Sequence, residues 1–535
     1  MAAKSPPQKP TKTSHAINTG GGYCSETKTF HSLRPPAIPP PPHQPLSITQ
    51  FILSHLYSST TPITTTTFFT ILSAAQSLTY SQAIDQIYSL SSSLKIIYSL
   101  KRNDVAFIVC PSSLHVPILY FSLLCLGVTV SPANPFSSNS ELTHQIQLSK
   151  PKIAFATSQT APKLPSFPLG TILIDSPEFT SLLTQSSKQD TATNHVEVSQ
   201  SDVAAILYSS GTTGRVKGVP ITHRNLIASV VAFRSGAEPN PHAVLLLTMP
   251  LFHVYGFFML INAFWRGKTL VLMERFDFEQ MLKAVERYRV SFMPVSPPLI
   301  LTLVQSDLTN KYDLSSLRML ICGGAPLSKE VADKFKGKFT QGYGLTEAGA
   351  VTSMIGPEEY KHHASVGRLL ANMQAKIVDP LTGEAVGPGK RGELWLRGPS
   401  VMEARVSTGY VGDEKATAET FDSEGWLKTG DLCFFDSEGF LYIVDRLKEL
   451  IKYKAYQVPP VELEQLLMSN PEIADAAVIP YPNKEAGQIP MAYVVAPYKK
   501  IRRVAFINAI PRSPAGKILR RELINHALSA ALLKL

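Results

Sequence analysis

The stretch YSSGTTGRVKGV (Tyr208–Val219) lies between the apolar run VAAIL and the segment PITHRNLIASVV, which predicts the start of a helix. Its glycines let backbone N–H groups approach a ligand closely, and its hydroxyl and basic side chains add further donors. Successive N–H donors beside a cation suit a phosphate group, so the stretch predicts a phosphate-binding loop between a strand and a helix. A solvated glycine- and serine-rich loop is the alternative, because the spacing differs from that of P-loop NTPases.

The composition limits the function classes. The chain has 535 residues, of which 44% are hydrophobic, and this length predicts two or more domains. The net charge is +10, but the basic residues are spread out, which favours small nucleotide-like anions over nucleic acid. The five cysteines are scattered without a C-x-x-C pair, which is typical of a reducing compartment and argues against a disulfide framework or zinc site. The N-terminus lacks the apolar core of a secretory signal.

One segment, Ala243–Trp265, is apolar enough to suggest a membrane span. It contains Pro250, His253 and Asn262, and its surroundings have a globular pattern. We therefore predict a buried strand followed by a buried helix.

The rest of the chain alternates between strand and helix patterns. DVAFIVC and KIAFAT predict short buried strands, and a capping box from Ser138 to Glu141 predicts a helix between them. A second region of this kind spans 243–366. This alternation predicts parallel β/α layers, whereas the sequence after Gly383 resembles β-hairpins.

Four further motifs follow the opening stretch in a fixed order. They are LFHVYGF (Leu251–Phe257), QGYGLTEAG (Gln341–Gly349), WLKTGDL (Trp426–Leu432) with VDRLKELIKYKAYQ (Val444–Gln457), and PRSPAGKILRREL (Pro511–Leu523). Together the five resemble the motifs of adenylate-forming enzymes: acyl-CoA synthetases, luciferases and peptide-synthetase adenylation domains. The nearest resemblance is to plant 4-coumarate:CoA ligase and its ligase-like relatives, over nearly the whole chain from about Tyr23.

The resemblance implies an α/β fold. A large N-terminal domain of layered β/α subdomains plus a distorted β-barrel would precede a small mobile α+β C-terminal domain. We expect a Pro-rich, largely disordered segment at 1–45, the adenylate-forming domain at 46–445 and a shortened lid domain at 446–535.

The resemblance also implies an activity. A carboxylate would attack the α-phosphate of ATP to give an acyl-adenylate and pyrophosphate, and the thiol of CoA would then displace AMP. The expected reactants are ATP with Mg²⁺, CoA, and a hydroxycinnamate-type or other hydrophobic carboxylic acid of plant phenylpropanoid metabolism. A monomer without nucleic-acid partners is expected. The terminal LLKL differs from the peroxisomal S-K-L signal at Leu533, which leaves peroxisome and cytosol both open.

The resemblance assigns the nucleotide site residue by residue. Thr346 would form a hydrogen bond to the α-phosphate, and Glu347 would coordinate Mg²⁺. Asp431 with Arg446 would bind the ribose hydroxyls. The β- and γ-phosphates would be held by Ser209, Ser210, Gly211, Thr212, Thr213, Gly214 and Lys217. The adenine would stack on Tyr343 within the segments that contain Gly323, Gly324, Ala325, Gln341, Gly342 and Gly344. Outside this motif set, Glu347 would be an ordinary helix N-terminal charge and Tyr343 a core residue.

The catalytic assignments centre on Lys517, whose ammonium would neutralise charge between the carboxylate and the α-phosphate. Without the motif set it would be a solvated lysine. His253 would orient the carboxylate or gate the acyl pocket, and a buried packing histidine is the alternative. Lys448 would lie at a domain hinge, and Lys452 and Gln457 would contact the adenylate.

The acyl pocket is where the sequence departs from the family. It would be lined by Tyr255, Phe258, Gly323, Ala350 and Val351. Phe258 replaces the asparagine that meets the phenolic hydroxyl in hydroxycinnamate enzymes, and a phenyl ring cannot make that bond. A medium- or long-chain fatty acid is therefore an alternative substrate.

Other departures put the thioester step and the position of Lys517 in question. Ala455 replaces a glycine that packs along the CoA tunnel in the family. Three segments also differ in length from the family: KGKFTQGYG is too short for a further strand, PSVMEARVSTGYVGD is long, and MAYVVAPYKKIRR lacks a helix. An inactive isoform that only binds nucleotide or a partner is thus a further alternative.

Overall fold

The computed structural model describes residues 20–58, 66–71, 76–184, 196–210, 216–234, 243–324, 339–356, 358–362, 364–403, 409–453, 456–468, 470, 473, 475–483, 487–495, 504–507, 509–513 and 516–532. Its helices are α1 Ile48–Ser58, α2 Tyr80–Ile97, α3 His115–Cys125, α4 Asn139–Ser149, α5 Pro177–Thr184, α6 His223–Arg234, α7 Val254–Trp265, α8 Phe278–Tyr288, α9 Pro297–Gln305, α10 Glu414–Thr420, α11 Pro460–Met468 and α12 Arg520–Leu532.

The first strands of the chain are β1 Tyr23–Cys24, β2 Thr29–His31, β3 Thr67–Ile71, β4 Ser77–Thr79, β5 Val105–Val109, β6 Thr129–Pro132, β7 Ile153–Ala156, β8 Thr171–Leu173, β9 Val203–Ser210, β10 Val216–Thr222, β11 Val244–Leu247, β12 Thr269–Leu272, β13 Phe292–Val295 and β14 Met319–Cys322. The later ones are β15 Phe339–Tyr343, β16 Ser353–Met354, β17 Arg368–Leu369, β18 Gln374–Val378, β19 Ala385–Val386, β20 Gly392–Arg397, β21 Leu427–Phe435, β22 Leu441–Arg446, β23 Ile451–Tyr453, β24 Tyr456–Val458, β25 Asp475–Asn483, β26 Gly487–Val495 and β27 Val504–Phe506.

Two layered sheets carry the β/α alternation. One has the order β10-β9-β6-β5-β7-β8 and the other β17-β16-β15-β14-β13-β11-β12-β3-β4. Their central strands are parallel and almost fully buried, because helices cover both faces of such sheets. The predicted capping box is present at the start of α4, where the Ser138 side chain accepts from the backbone N–H of Glu141. The α/β fold class is confirmed.

Most of the later strands among the described residues belong to two further sheets. One is an antiparallel sheet with the order β1-β2-β18-β20-β21-β22, in which β19 pairs with β18. It is formed by the strands that we expected in the distorted β-barrel. A separate five-stranded sheet runs β24-β23-β26-β25, with β27 parallel to β26. Residues 496–503, the predicted join without a helix, lie outside the described residues.

The segment after the glycine-rich loop is a strand before it becomes a helix. The direct strand–loop–helix prediction is wrong, because β10 pairs antiparallel with β9 along its length and α6 begins only at His223. Val216, Val219 and Ile221 explain this outcome, since β-branched side chains favour a strand. Gly211, Thr212, Thr213 and Gly214 lie outside the described residues.

Two other predictions need correction. Residues 1–45 are not disordered throughout, because β1 and β2 join the antiparallel sheet and the Phe30 ring stacks on Phe435 with centroids 4.3 Å apart. KGKFTQGYG does not lack a strand, since Phe339–Tyr343 is itself one and pairs in parallel with β14. The long turn around 404–408 lies partly outside the described residues.

The apolar segment Ala243–Trp265 forms the buried strand β11 and the buried helix α7, as predicted. Among the described residues, no helix has the length and apolar character needed to cross a bilayer.

Candidate active site

A cleft lies where the carboxyl ends of β14 and β15 meet β21, β22 and the residues around Lys517. Its empty space, open mouth included, is about 1510 Å³. The predicted site residues on its wall are Gly324, Gln341, Gly342, Tyr343, Gly344, Asp431, Arg446 and Lys517. Ligands commonly bind at such strand ends in α/β sheets, and residues from three sequence motifs converge here.

Asp431 is the centre of this cleft. Its carboxylate is almost fully buried, and Oδ2 accepts a hydrogen bond from the Tyr343 hydroxyl at 2.5 Å. Arg446 Nε lies 3.2 Å from Oδ1, across the β21–β22 pairing. Burial and the neighbouring carboxylate raise the pKa of Tyr343 well above its usual value, so the phenol stays a donor. The cleft therefore presents an oriented carboxylate beside an aromatic ring.

Lys517 reaches the same cleft from the C-terminal part of the chain. Its loop packs against the start of α9, since a Cβ on Gly516 would lie 3.1 Å from Ser296 Cβ. Burial and the positive charge of Arg446 lower the pKa of the Lys517 ammonium, while Glu449 and Asp431 act in the opposite direction. Glu449 Oε1 lies 3.9 Å from Lys517 Nζ, and its other oxygen pairs with Arg520 at 2.7 Å.

These charges predict a pH dependence. If the reaction needs protonated Lys517, its rate falls as pH rises through the lowered pKa. Glu449→Gln removes a negative charge that favours the ammonium, so the alkaline limb should move to lower pH. The measurement is kcat/KM for ATP in pyrophosphate release between about pH 7 and 11, since kcat/KM reports groups of the free enzyme.

A matched control is Glu462→Gln, which removes an exposed carboxylate that pairs with Arg391 at 3.6 Å. Its profile should match that of the unchanged protein. An alkaline limb at the same pH in both variants would contradict the role of Glu449. Thermal unfolding of each variant checks that the lost Arg520 contact does not unfold the C-terminal part.

A second cluster surrounds Glu347, which lies in the 3₁₀ helix Thr346–Ala348. Glu347 Oε1 accepts hydrogen bonds from Ser209 Oγ at 3.1 Å and from the Tyr410 hydroxyl at 2.8 Å. Lys217 Nζ lies 4.3 Å from the centre of the Tyr410 ring, in a cation–π contact. The structure thus brings Ser209, Lys217, Thr346 and Glu347 together from two motifs.

The sequence analysis missed Tyr410. It lies in the long segment that we interpreted only as a length change, and 63 residues separate it from Glu347. The available signal for a site residue was an aromatic side chain in the pattern GYVGD, directly before a helix. Burial and the Glu347 charge raise the pKa of Tyr410, so its hydroxyl remains a donor to the carboxylate.

A single carboxylate with hydroxyl donors fits a phosphate-bound Mg²⁺ ion. Within the described part of the chain, no three or more His, Cys, Asp or Glu side chains gather as potential metal ligands. Mg²⁺ is commonly held by one or two carboxylates together with substrate phosphates. The residues present therefore suit a metal that arrives with a nucleotide.

His253 caps the N-terminus of α7, where its Nδ1 accepts from the Tyr255 backbone N–H at 3.2 Å. Burial lowers the pKa of His253 to about 4, so the imidazole is neutral at pH 7. The Tyr255 hydroxyl donates to the Ile321 carbonyl at 2.8 Å, which fixes its ring beside Gly323. A Cβ added to Gly323 would lie 3.8 Å from that ring.

The predicted acyl-pocket residues do not line the cleft that contains Lys517, although all of them are buried or half-buried: Tyr255, Phe258, Gly323, Ala350 and Val351. Phe258 is 1% exposed and packs edge-on against Phe233, with ring centroids 5.3 Å apart. Ala350 and Val351 are buried, and Ala350 adopts φ +93°, a region that favours glycine. A Cβ on Gly344 would lie 1.5 Å from the Ala350 carbonyl oxygen, so this turn requires glycine at 344.

Two predicted residues lie away from the cleft. Lys452 and Gln457 are paired positions on the exposed β23–β24 hairpin, and neither lines the cleft that contains Lys517. Lys448 lies between β22 and β23, where the antiparallel sheet gives way to the five-stranded one. Ala325, Ala455 and the Ser210 side chain lie outside the described parts of the structure.

Comparisons with known proteins identify the family of this chain. Residues 60–404 match the family model of AMP-binding enzymes, and residues 462–500 match the AMP-binding enzyme C-terminal domain. The chain is 55% identical to 4-coumarate–CoA ligase-like 9 of Arabidopsis thaliana, with 98% of this chain and 99% of that protein covered. It is 41% identical to peroxisomal OPC-8:0-CoA ligase 1 of the same plant, with 96% and 99% covered.

Solved structures agree at the level of the fold. ATP-bound MatB from Rhodopseudomonas palustris is similar at TM-score 0.80 and 23% identity, with 90% of this chain and 99% of that chain covered. MenE from Bacillus subtilis, an o-succinylbenzoate CoA synthetase with its acyl-adenylate intermediate OSB-AMP, gives TM-score 0.74 and 24% identity, with 89% and 98% covered. The chain therefore belongs to the AMP-binding enzyme family of adenylate-forming proteins, within the 4-coumarate–CoA ligase-like group of AMP-forming acid–thiol ligases, which use ATP, Mg²⁺ and CoA.

Proposed function

We propose that this protein joins a hydrophobic carboxylic acid, hydroxycinnamate-type or other, to CoA through an acyl-adenylate. In the first step a carboxylate oxygen bonds to the α-phosphorus of ATP as the bond to pyrophosphate breaks. In the second the thiol sulfur bonds to the acyl carbon, the bond to AMP breaks and the thiol proton leaves. The observation that carries the proposal is the convergence of Tyr343, Asp431, Arg446 and Lys517 on one cleft.

Each side chain has one task in this proposal. The Asp431 carboxylate accepts from the ribose hydroxyls, and Arg446 holds that carboxylate in place. Lys517 donates to the oxygens that carry negative charge during attack on the α-phosphate. Thr346 and the stretch Ser209–Lys217 hold the phosphates. Mg²⁺, when bound, would be held by Glu347 and would neutralise phosphate charge.

The same proposal gives roles to the remaining predicted residues. Tyr343 stacks on adenine beside Gly323 and Gly324. Neutral His253, whose Nδ1 accepts from the Tyr255 backbone N–H, orients the acid through its Nε2–H donor. The division at 445/446 places the five-stranded sheet in a small domain that rotates at Lys448. In a second orientation Lys452 and Gln457 would reach the adenylate, which is supported by their position on an exposed hairpin.

The apolar surroundings of Phe258 support the proposed class of acid. Phe258 and its neighbour Phe257 are both buried beside other aromatic rings. The ring centroids of Phe257 and Tyr120 are 5.6 Å apart. A phenolic hydroxyl beside Phe258 would lose its hydrogen-bond partner, at a cost of about 1–3 kcal/mol. This favours fatty or weakly hydroxylated acids over 4-coumarate itself.

The test is a pyrophosphate-release assay on cinnamic, 4-coumaric and straight-chain fatty acids, with and without CoA. We expect release with the apolar acids and a thioester product when CoA is present. Release without thioester would support an adenylating enzyme with another acceptor, and it would contradict the second step. The absence of release with every acid would favour the inactive, nucleotide-binding alternative.

Three assignments stay predictions within this proposal: a monomeric state, a peroxisomal or cytosolic location and a role in phenylpropanoid metabolism. The location is supported only by the relative named peroxisomal OPC-8:0-CoA ligase 1. Residues 533–535, which would carry the signal, lie outside the described part of the chain. Fluorescence microscopy of the tagged full-length chain beside a peroxisomal marker distinguishes the two compartments.

A further inference from the structure

Tyr410 contacts two side chains of opposite charge in the cluster around Glu347. Its hydroxyl donates to Glu347 Oε1 at 2.8 Å, and Lys217 Nζ lies 4.3 Å from the centre of its ring. The residue is only 8% exposed, so water competes little with either contact. One buried aromatic side chain therefore connects the carboxylate that we expect to hold Mg²⁺ with a cation of the glycine-rich stretch.

Backbone contacts fix the position of this ring. The Tyr410 N–H donates to Thr417 Oγ1 of α10 at 2.9 Å, and the Val411 N–H donates to the Gly218 carbonyl of β10 at 2.9 Å. Gly409 allows the close approach to α10, because a Cβ at this position would overlap the Thr417 side chain. The hydroxyl is thus held from two elements, one of which is the strand that carries Lys217.

Both hydrogen bonds to the Glu347 carboxylate are made to the same oxygen. Oε1 accepts from Tyr410 and from Ser209 Oγ, whereas among the described residues no donor contacts Oε2. A carboxylate held by two hydroxyls at one oxygen keeps its orientation and presents the other oxygen to a ligand. Asp431 raises the pKa of Arg446 most strongly and Glu347 adds to this effect, so the Glu347 carboxylate acts on the cleft that contains both.

We propose that Tyr410 is a positioning residue for the metal-bound nucleotide. Its hydroxyl orients Glu347 so that Oε2 binds the Mg²⁺ ion that arrives with ATP, and its ring holds the Lys217 ammonium for the phosphates. Loss of a group that orients a metal ligand typically lowers metal affinity by about ten- to a hundredfold. This inference rests on the proposed function, in which Glu347 holds Mg²⁺.

The test is equilibrium binding of ATP to the full chain without acid or CoA, measured by titration calorimetry in excess Mg²⁺ and in EDTA. Tyr410→Phe removes the hydroxyl and keeps the ring. We expect its Kd for ATP to rise about tenfold in Mg²⁺ and to stay within about twofold of the wild type in EDTA. Tyr410→Leu also removes the cation–π contact, so in EDTA it should bind ATP about threefold more weakly than Tyr410→Phe.

Tyr312→Phe is the matched control, since it removes a hydroxyl that donates to the Glu279 carboxylate at 2.7 Å outside the cleft. It should leave both affinities unchanged, and thermal unfolding checks that every variant is folded. If Tyr410 only supports the fold, Tyr410→Phe weakens binding equally with and without Mg²⁺, and the proposal is wrong. Equal affinities of the Phe and Leu variants in EDTA would contradict the role of the ring.

Glu347→Gln separates this inference from the proposed function. The amide keeps the shape but removes the charge, so Mg²⁺ should strengthen ATP binding much less than in the wild type. If Glu347→Gln shows this loss and Tyr410→Phe does not, the metal assignment stands and the role of Tyr410 is wrong. If neither variant alters the effect of Mg²⁺, both are wrong. A loss in Tyr410→Phe alone would also contradict the inference, because Glu347 would not transmit it.

Discussion

Lys517→Ala is expected to lower the rate of pyrophosphate release by about a hundred- to a thousandfold, a loss of about 3–4 kcal/mol of transition-state stabilisation. The ammonium lies in the cleft beside Asp431 and Arg446, where burial removes competing water. Charge accumulates on the reacting oxygens only during attack on the α-phosphate. The affinity for ATP should therefore change little, within about threefold, as expected for a contact made mainly in the transition state.

Two controls separate chemistry from folding. Arg521→Ala removes an exposed cation four residues away, and it should leave the rate unchanged. Purified acyl-adenylate supplied with CoA bypasses the first step, so Lys517→Ala should still form thioester at close to the wild-type rate. Equal rates of pyrophosphate release by Lys517→Ala and the wild type would contradict the proposed role of Lys517.

The sequence was sufficient for the features that depend on local pattern. Alternation of short apolar runs with helix signals predicted the layered α/β fold, and the box at Ser138 and Glu141 predicted the start of α4. Motif resemblance identified Tyr343, Asp431, Arg446 and Lys517, which the structure brings to one cleft. Local pattern and a fixed order of motifs determine such features without knowledge of long-range contacts.

Features that depend on long-range pairing were missed. The Tyr410 hydroxyl meets Glu347 only because the chain returns to β10, where the Val411 backbone N–H bonds to the Gly218 carbonyl. The hairpin around Tyr23 is ordered because β2 pairs with β18, which is more than 340 residues away. No periodicity within either segment carries this information, since the stabilising partner lies elsewhere in the sequence.

The second large effect is expected for Asp431→Asn. Its carboxylate accepts from Tyr343 at 2.5 Å and pairs with Arg446 at 3.2 Å. An amide keeps the shape but loses the charge, so it would leave Arg446 without its counter-ion and would bind the ribose hydroxyls as a weaker acceptor. Hydrogen bonds to a charged group contribute about 1.5–3 kcal/mol, so KM for ATP should rise about ten- to a hundredfold.

Asp431→Asn should be recognised by the kinetic parameter that it changes, which is KM for ATP rather than kcat. Under the proposed ribose assignment, this contact is made both before and during attack on the α-phosphate. It would stabilise ground and transition states alike, and kcat should fall much less than KM rises. Steady-state kinetics at varied ATP measure this split, with Glu438→Gln at the exposed β21–β22 turn as the control. A fall in kcat at unchanged KM would instead place Asp431 at the reacting phosphate, and the ribose assignment would be wrong.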